Sequence, residues 1–499
     1  MKSAVLLIRA DASLAIGTGH VMRCLALAQA WQDAGGRAIF AIAQSTPAIE
    51  ERLRDERFDV ERAPVPVGSV ADAEETARLA HKHGALWSVI DGYEFGAEYQ
   101  TNLKGHGLRV LFIDDNGHAG YYSADIVLNQ NAHANETLYP NRDASTRLLL
   151  GPRFALLRRE FTSWRGWNRE IPPVARRVLV TMGGSDPDNV TELVVEAILA
   201  EGGFEVTVVV GGSNPHLARL RALVNNSGGG VRLVENATSM PELIANADVA
   251  VAGAGTTTWE MCFLGLPALL TVLADNQQEV AEELSKQGIM VKVGRSSDLA
   301  RLTVAKHLRS LADSSGTRRK MSERGRALVD GRGAERVVST LRIDTLSIRL
   351  VENADCKLLW EWANDPIVRA SAFSSEPIPW EDHIEWFREK LNDRNCRVLM
   401  AIDCAGVPAG QVRFDKTGLS AADVDITVDA RFRGLGYATR LLDLGTNWAF
   451  AEWGVNELNA FVKTTNIASA KVFERAGFIA IAAVTINGHP ATHYVWKAK

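Results

Sequence analysis

A glycine-rich turn that carries a histidine follows the first apolar run of the sequence. The turn reads Gly17-Thr18-Gly19-His20, and apolar residues at helical spacing after it predict that a helix begins there. Such a turn lets a ligand approach the backbone, and the helix dipole favours negative charge at the helix N-terminus. Because the same dipole disfavours an imidazolium, a neutral His20 could accept a proton from water as a general base. A histidine that only caps or packs against the helix fits this spacing equally well.

Two further glycine-rich turns each lie between a predicted strand and a predicted helix. The first, Met182-Gly183-Gly184-Ser185-Asp186-Pro187, could hold a diphosphate through its backbone N–H groups and its serine. The second runs from Gly253 to Glu260 and places the Glu260 carboxylate where it could accept hydrogen bonds from ribose hydroxyls. Two such turns favour a nucleoside diphosphate ligand over a pair of ordinary loops, and the absence of GxGxxG argues against a dinucleotide dehydrogenase.

Three aspartates, Asp91, Asp114 and Asp115, end predicted strands and are expected to face a cleft between two Rossmann-like domains. They could orient His20 or bind sugar hydroxyls. They could equally cap the helices that follow, and the sequence leaves both roles open.

A fourth glycine-rich turn lies in the last third of the chain. A predicted strand that ends at Val428 runs into Arg431-Phe432-Arg433-Gly434-Leu435-Gly436, and a helix is predicted to follow. The glycines permit a tight turn whose N–H groups point at a pyrophosphate, and the two arginines add positive charge. A segment that contains Asn466 and Ser469 follows further along the chain.

Sheets must position these turns. Up to about Val338, short runs of Val, Ile and Leu alternate with helical segments in two series of five predicted strands, which indicates two parallel sheets covered on both faces. A stiff stop at Pro172-Pro173 suits a linker between them, and the charged segment from Arg318 to Arg336 predicts a surface helix that ends in a loop. The predicted domains are an N-terminal Rossmann-like domain (1–150), a linker (151–175), a second, nucleotide-binding Rossmann-like domain (176–340) and a mixed α/β domain (345–499).

The composition excludes several classes of protein. With 499 residues, 46% of them hydrophobic and 23% charged, the chain can bury several cores. A net charge of −5 gives no basic footprint for nucleic acid or anionic lipid, and the longest apolar stretch, Leu264 to Ala274, is too short to span a membrane. The five cysteines form no CxxC pair, which indicates neither disulfides nor a zinc site and fits a cytoplasmic protein. We therefore predict no metal, no nucleic acid and no membrane partner.

Several motifs within residues 1–340 together resemble the UDP-2,4-diacetamido-2,4,6-trideoxy-β-L-altropyranose hydrolases of pseudaminic acid biosynthesis. They are GTGHVMRCLALA at 17–28, Ile90-Asp91-Gly92-Tyr93, Ile113-Asp114-Asp115, Leu128-Asn129-Gln130-Asn131, the segment from Gly151 to Arg158, the MGGSDP turn and Asp275-Asn276-Gln277. The resemblance implies a GT-B arrangement of the two Rossmann-like domains and a reaction without a metal. It also implies that Glu260 binds the ribose. Phe154 departs from the family, which has a tyrosine there.

On this resemblance we expect His20 and Asn276 to be catalytic. The residues expected to bind the UDP-sugar are Gly17, Gly19, Arg23, Asp91, Tyr93, Asp114, Gly183, Gly184, Ser185, Gly255, Thr256, Glu260 and Gln277. Because diphosphate is a good leaving anion, one base and a dipolar cradle could suffice for hydrolysis at the anomeric carbon with inversion. A pair of carboxylates of the glycosidase type is not needed.

The turn at 431–436 and the later asparagine segment together resemble the GNAT N-acetyltransferases. The resemblance implies that acetyl-CoA is a co-substrate, with its pyrophosphate on the RxxGxG turn and its pantetheine arm near Asn466. The residues expected to bind it are Val428, Arg431, Arg433, Gly434, Leu435, Gly436, Ala438, Asn466 and Ser469. Phe473 departs from the family, in which many members have a tyrosine that protonates the leaving thiolate. Candidate substitutes are Tyr494, His489 and His493.

The sequence therefore predicts a bifunctional cytoplasmic enzyme. Its C-terminal domain is expected to acetylate UDP-4-amino-4,6-dideoxy-β-L-AltNAc, because segments 364–369 and 381–386 resemble acetyltransferases that act on nucleotide-linked amino sugars. Its N-terminal domains are expected to release UDP from the product. Three alternatives stay open: the same chemistries on another UDP-diacetamido hexose of the legionaminic type, a GT-B glycosyltransferase with a sugar acceptor, and a GNAT domain that only binds acetyl-CoA.

Overall fold

A seven-stranded parallel sheet organises the first part of the chain. The computed structural model describes residues 4–13, 16–184, 186–212 and 214–497. The strands of this sheet are β1 (Val5–Ala10), β2 (Arg37–Ile42), β3 (Asp59–Arg62), β4 (Ala85–Asp91), β5 (Val110–Ile113), β6 (Ile126–Asn129) and β7 (Arg147–Leu150). Its helices are α1 (Gly19–Asp33), α2 (Pro47–Asp55), α3 (Val70–His83) and α4 (Ala97–Gly105). Across the sheet the order is β3-β2-β1-β4-β5-β6-β7.

The winding of this sheet reverses between β1 and β4, which lie side by side. Ligands of open parallel sheets bind at such a switch point, outside the carboxyl ends of the strands. The strand β1 leads into the glycine-rich turn and α1, whereas β4 ends at Asp91, which is in register with Ala10. The topology therefore brings the start of α1 next to Asp91.

A second parallel sheet, of six strands, repeats this plan. Its strands are β8 (Arg177–Thr181), β9 (Glu205–Val210), β10 (Val231–Glu235), β11 (Val249–Gly253), β12 (Ala268–Val272) and β13 (Val291–Arg295), in the order β10-β9-β8-β11-β12-β13. Its helices are α5 (Val190–Glu201), α6 (Leu217–Asn226), α7 (Met240–Asn246), α8 (Thr257–Phe263), α9 (Gln278–Lys286), α10 (Arg301–Asp313) and α11 (Ser315–Leu328). The two glycine-rich turns follow β8 and β11, the strands that meet at the switch point. The prediction of two Rossmann-like sheets is confirmed.

Two arginines fix the segment that crosses between the two sheets. Arg169 donates to the carbonyl oxygen of Ile244 at 2.7 Å. Arg318 is fully buried and donates to the carbonyl oxygens of Pro172 and Pro173, at 2.8 and 2.9 Å. The prediction that Arg318 lies on the surface is therefore wrong, because the carbonyl groups at the Pro-Pro stop supply the acceptors that a buried guanidinium needs.

The first compact unit of the chain ends at Val338, and a second begins at Ser339. Its sheet consists of β14 (Ser347–Leu350), β15 (Cys396–Ile402), β16 (Pro408–Lys416), β17 (Ala421–Val428), β18 (Glu457–Lys463), β19 (Ile479–Ile486) and β20 (His489–Lys497), in the order β14-β15-β16-β17-β18-β20-β19. The helix α12 (Gly333–Asp344) includes the boundary, and the later helices are α13 (Cys356–Ala363), α14 (Pro366–Ser371), α15 (Trp380–Asn392), α16 (Tyr437–Trp453) and α17 (Ile467–Arg475).

Neighbouring strands of this last sheet are antiparallel, except for the parallel pair β17 and β18. Gly445 of α16 lets the helix lie close to β16, because a Cβ there would come within 2.8 Å of Val412 Cγ1. The prediction of a mixed α/β C-terminal domain is confirmed. Within the described part of the chain, no helix is both long and apolar enough to cross a membrane.

Candidate functional site

His20 and Asp91 form a buried pair at the switch point of the first sheet. His20 is the second residue of α1 and is 8% exposed, and its Nδ1 lies 2.6 Å from Asp91 Oδ1. A carboxylate accepts a hydrogen bond from Nδ1–H, which leaves Nε2 as the ring atom that can take a proton. The pair therefore has the orientation that a histidine general base requires.

Arg23, one helical turn after His20, joins two aspartates. Its Nε donates to Asp91 Oδ2 and its Nη1 to Asp115 Oδ1, each at 2.7 Å. Burial alone would raise the pKa of Asp91, but Arg23 and His20 lower it below its usual value. Burial also works against ionisation of Asp115, and Arg23 outweighs it, so that the pKa of this carboxyl falls well below its usual range. Both carboxylates are therefore charged at neutral pH.

Tyr93 connects this network to the second sheet. Its hydroxyl donates to Asp115 Oδ2 at 2.8 Å and accepts a hydrogen bond from Asn276 Nδ2 at 2.6 Å. The ring of Tyr93 stands edge-on to the His20 ring, with centroids 5.0 Å apart. Asn276, from a turn after β12, is thus linked to His20 through Tyr93, Asp115 and Arg23.

The roles of the three strand-end aspartates differ. Asp91 orients His20, and Asp115 holds Arg23 and Tyr93. Asp114 instead accepts hydrogen bonds from the backbone N–H groups of Asn116 and Gly117, both at 2.7 Å, and from the Tyr122 hydroxyl. This last carboxylate therefore caps a turn and not the start of a helix, because β6 follows β5 without a helix between them.

The glycine-rich turns of the two sheets lie opposite each other. Gly17 and Gly183 have φ values of +74° and +84°, which a side chain would strain. A Cβ on Gly184 would lie 2.7 Å from Thr18 Oγ1, so a side chain here would require Thr18 to move. Both carboxylate oxygens of Asp186 accept hydrogen bonds from the start of α5, at 2.9 Å, and so fix the second turn. Ser185 lies outside the described residues.

The turn after β11 lies beside the Asn276 segment. Gly255 and Thr256 directly precede α8, and a Cβ on Gly255 would lie 3.8 Å from Gln277 Nε2. The side-chain oxygen of Gln277 accepts a hydrogen bond from the Leu273 N–H at 3.0 Å. Glu260, within α8, is paired with Arg158 at 2.8 Å. Sequence reasoning missed this role of Arg158, which no local pattern indicates.

The second candidate site lies where β17 and β18 part. Only Ala421 to Asp423 pair with β18, although β17 continues to Val428 and β18 continues to Lys463. Beyond this point the two strands pair only with their outer neighbours, β16 and β20. Peptide groups that face this gap can bind an extended ligand such as a pantetheine arm.

The turn at 434–436 directly follows this gap and begins α16. Gly434 and Gly436 have φ values of +75° and +94°, and Leu435 lies between them. No described atom lies within 4 Å of a Cβ built on Gly434, so its requirement for glycine comes from φ and not from crowding. Ala438, in the first turn of α16, is half-buried behind it.

The two arginines of this turn are held by carboxylates. Arg431 pairs with Asp429 through Nε and Nη2, each at 2.9 Å, and its side chain is 60% exposed. Arg433 donates to Asp365 Oδ1 at 2.9 Å. The side chain of Asn466 accepts a hydrogen bond from the Ser469 N–H at 3.0 Å and thereby caps α17.

Phe473 is buried in the core of this unit against Phe478, with ring centroids 5.1 Å apart. Of its three candidate substitutes, Tyr494 is buried and stacks on the Phe473 ring at 6.3 Å. His493 stacks on Phe461 and its Nε2 lies 2.8 Å from Asn459 Oδ1, whereas His489 is exposed at the start of β20. None of these contacts assigns a proton donor for a thiolate.

Comparison with known proteins separates the two parts of the chain. Residues 177–332 match the Glycosyltransferase family 28 C-terminal domain, and residues 345–479 match the Acetyltransferase (GNAT) domain. The UDP-2,4-diacetamido-2,4,6-trideoxy-β-L-altropyranose hydrolase of Campylobacter jejuni is 25% identical over 292 residues, which are 57% of this chain and 98% of that protein. The chain is a homologue of this hydrolase fused to a GNAT domain.

Two further relatives differ in how much of this chain they match. The spore coat polysaccharide biosynthesis protein SpsG of Bacillus subtilis is 25% identical over 236 residues, 47% of this chain and 68% of its own. An uncharacterized protein of Methanocaldococcus jannaschii is 22% identical over 487 residues, 94% of this chain and 95% of its own. The latter match extends through both parts of the chain.

Proposed function

We propose that the first unit hydrolyses a UDP-sugar between the anomeric carbon and the diphosphate, with inversion. The His20–Asp91 pair, located beside two facing glycine-rich turns, is the observation that carries this proposal. In the reaction His20 Nε2 removes a proton from water as the water oxygen attacks the anomeric carbon. The bond from that carbon to the diphosphate oxygen breaks, and UDP leaves as an anion. Asp91 stabilises the imidazolium that forms, in the way of a histidine–carboxylate pair.

The cradle for the leaving group comes from backbone groups. N–H groups of the turns at Gly17 to Gly19 and at Met182 to Gly184 stabilise the departing diphosphate without any change in protonation. Such fixed dipoles cost little reorganisation during the reaction. The relationship to the Campylobacter jejuni hydrolase supports the choice of water as the acceptor.

For the second unit we propose acetyl transfer from acetyl-CoA to the amine of a UDP-4-amino sugar, which yields the diacetamido substrate of the first unit. The match to the GNAT domain and the gap between β17 and β18 support acetyl-CoA as the donor. The two activities then belong to consecutive steps of pseudaminic acid biosynthesis.

The proposed function is tested with the purified chain and UDP-4-amino-4,6-dideoxy-β-L-AltNAc, followed by NMR. With acetyl-CoA we expect N-acetylation, followed by the appearance of UDP and free diacetamido sugar. Without acetyl-CoA we expect the amino sugar to stay linked to UDP. UDP release that requires an added sugar acceptor would instead indicate a glycosyltransferase, which the match to Glycosyltransferase family 28 makes the second candidate.

Substitution of the acetyl-CoA turn is expected to weaken binding of this co-substrate. Arg431→Ala removes a charged donor, and hydrogen bonds to charged groups contribute about 1.5–3 kcal/mol, so the Kd should rise about 10- to 100-fold. With a φ of +75° at this position, Gly434→Ala makes the free turn favour other conformations by about 1 kcal/mol, and restoring the binding conformation raises the Kd about fivefold.

Calorimetry with acetyl-CoA measures both effects, and Arg394→Ala, at an exposed position of the same unit, is the matched control. The fold should tolerate Arg431→Ala, because Asp429 keeps its bonds from the Trp362 indole and the backbone N–H of residue 431. Unchanged affinity in both variants would contradict the assignment of this turn.

A further inference from the structure

Arg158 lies in the segment that crosses between the two sheets of the first unit. Its Nη2 donates to Glu260 Oε1 at 2.8 Å and lies 3.2 Å from Glu160 Oε1. The Arg158 side chain is only 10% exposed, and its Nε has no hydrogen-bond partner among the described residues. Because a buried guanidinium needs a paired charge, the contact with Glu260 fixes both side chains.

The position of Glu260 connects its contact with Arg158 to nucleotide binding. The residue lies in α8, directly after the glycine-rich turn at the switch point of the second sheet, where nucleotides bind in folds of this type. Burial raises the pKa of Glu260, Arg158 opposes the rise, and Glu160 adds to it. Loss of Arg158 would therefore leave a carboxyl group that is less ionised and free to rotate, and thus a poorer acceptor for two hydroxyl groups.

The residue next to Arg158 connects the same segment to the first sheet. The Arg159 N–H donates to Gln29 Oε1, and its Nη2 donates to Gln32 Oε1, both at 2.8 Å. These glutamines lie in α1, the helix that begins beside His20. Two consecutive arginines therefore tie the helix of the proposed base to the helix of Glu260.

We propose that Arg158 is a positioning residue for nucleoside recognition, which holds the Glu260 carboxylate so that it accepts hydrogen bonds from the 2′- and 3′-hydroxyls of a ribose. This inference rests on the proposed function, because it takes a uridine nucleotide as the ligand. It adds a contribution from the crossing segment to a site that is otherwise built from turns at the ends of strands.

The test compares the binding of UDP and of 2′-deoxy-UDP to the full chain by calorimetry. We expect the wild type to bind UDP about 10-fold more tightly, since 2′-deoxy-UDP lacks a hydroxyl that donates to a charged group. In Arg158→Met, UDP binding should weaken about 10-fold and the preference over 2′-deoxy-UDP should fall to about onefold. The KM for the UDP-sugar should rise accordingly, with a smaller change in kcat. Arg153→Met, an exposed position of the same segment, is the control that should keep both affinities.

The outcomes separate this inference from the function on which it rests. A wild type that does not bind UDP contradicts the proposed function, whereas an Arg158→Met chain with the wild-type preference overturns the inference alone. If Arg158→Met does not fold, Arg158→Lys is measured with and without Glu260→Gln. We expect the lysine to weaken UDP binding about fivefold beside Glu260 but less than about twofold beside the glutamine, because residues that act together are not additive. Equal weakening in both chains overturns the inference.

Discussion

Replacement of His20 by asparagine is expected to lower the rate of UDP release by about 10²- to 10⁴-fold, the usual contribution of a general base. The asparagine side chain can keep a hydrogen bond to Asp91 but cannot take a proton from water. Binding of the UDP-sugar should change little, because the glycine-rich turns and Glu260 are unaffected. The measurement is the initial rate of UDP release at saturating substrate.

The same protein provides two controls for this variant. His106→Asn, at an exposed histidine of the first sheet, should release UDP at the wild-type rate. Acetyl transfer by the His20 variant should also be unchanged, since the proposed acetyl-CoA turn belongs to the other unit. Hydrolysis by His20→Asn at the wild-type rate would contradict the assignment of His20 as the general base.

Replacement of Asp91 by asparagine is expected to reduce UDP release by a similar factor, about 10³- to 10⁴-fold, as in other histidine–carboxylate pairs. An amide can hold His20 in the wrong tautomer, and it does not stabilise an imidazolium. The substitution also removes one of the two carboxylates that pair with the buried Arg23, and Asp115 is the other. The loss should lie mainly in kcat, because Asp91 is fully buried behind His20.

The pH dependence of the wild-type rate tests the charge state of Asp91. The pKa of Asp91 is lowered in the folded chain, so its charge, and the support it gives to His20, is present at neutral pH and lost only as the pH falls through that lowered value. Protonation of Asp91 should therefore not limit wild-type activity near neutral pH. Asp59→Asn, an exposed carboxylate at the edge of the same sheet, is the matched control. An Asp91→Asn chain with the wild-type rate would contradict the pairing.

The sequence predicts the central strands well because these are apolar on both faces. The sequence misses β3, β7 and β13. The strands β3 and β7 form the two edges of the first sheet, and β13 forms one edge of the second. An edge strand has one neighbour and tolerates polar residues, so β3, with the sequence Asp-Val-Glu-Arg, has no apolar run to indicate it. The burial of Arg318 is missed for a different reason. It depends on carbonyl groups that are distant in the sequence.

In the candidate sites too, the sequence indicates the features that depend on local residues and misses those that depend on distant ones. The glycine-rich turns are local signals, and the sequence indicates them. That Arg23 lies one helical turn from His20 is also readable, but its use in joining Asp91 to Asp115 depends on two strands that meet only in the fold. Likewise the gap between β17 and β18 depends on strand pairing, which no local pattern records.

Hydrolysis in ¹⁸O-labelled water tests most directly the central claim that water attacks the anomeric carbon and not phosphorus. Attack at carbon places the label on the sugar and leaves UDP unlabelled. Because the anomeric hydroxyl of a free sugar exchanges with water through ring opening, the mass of UDP is the decisive reading, and NMR at early times gives the configuration of the first product. We expect unlabelled UDP, an inverted sugar and activity that survives EDTA. Label in the UDP phosphate, or loss of activity on chelation, would contradict this expectation.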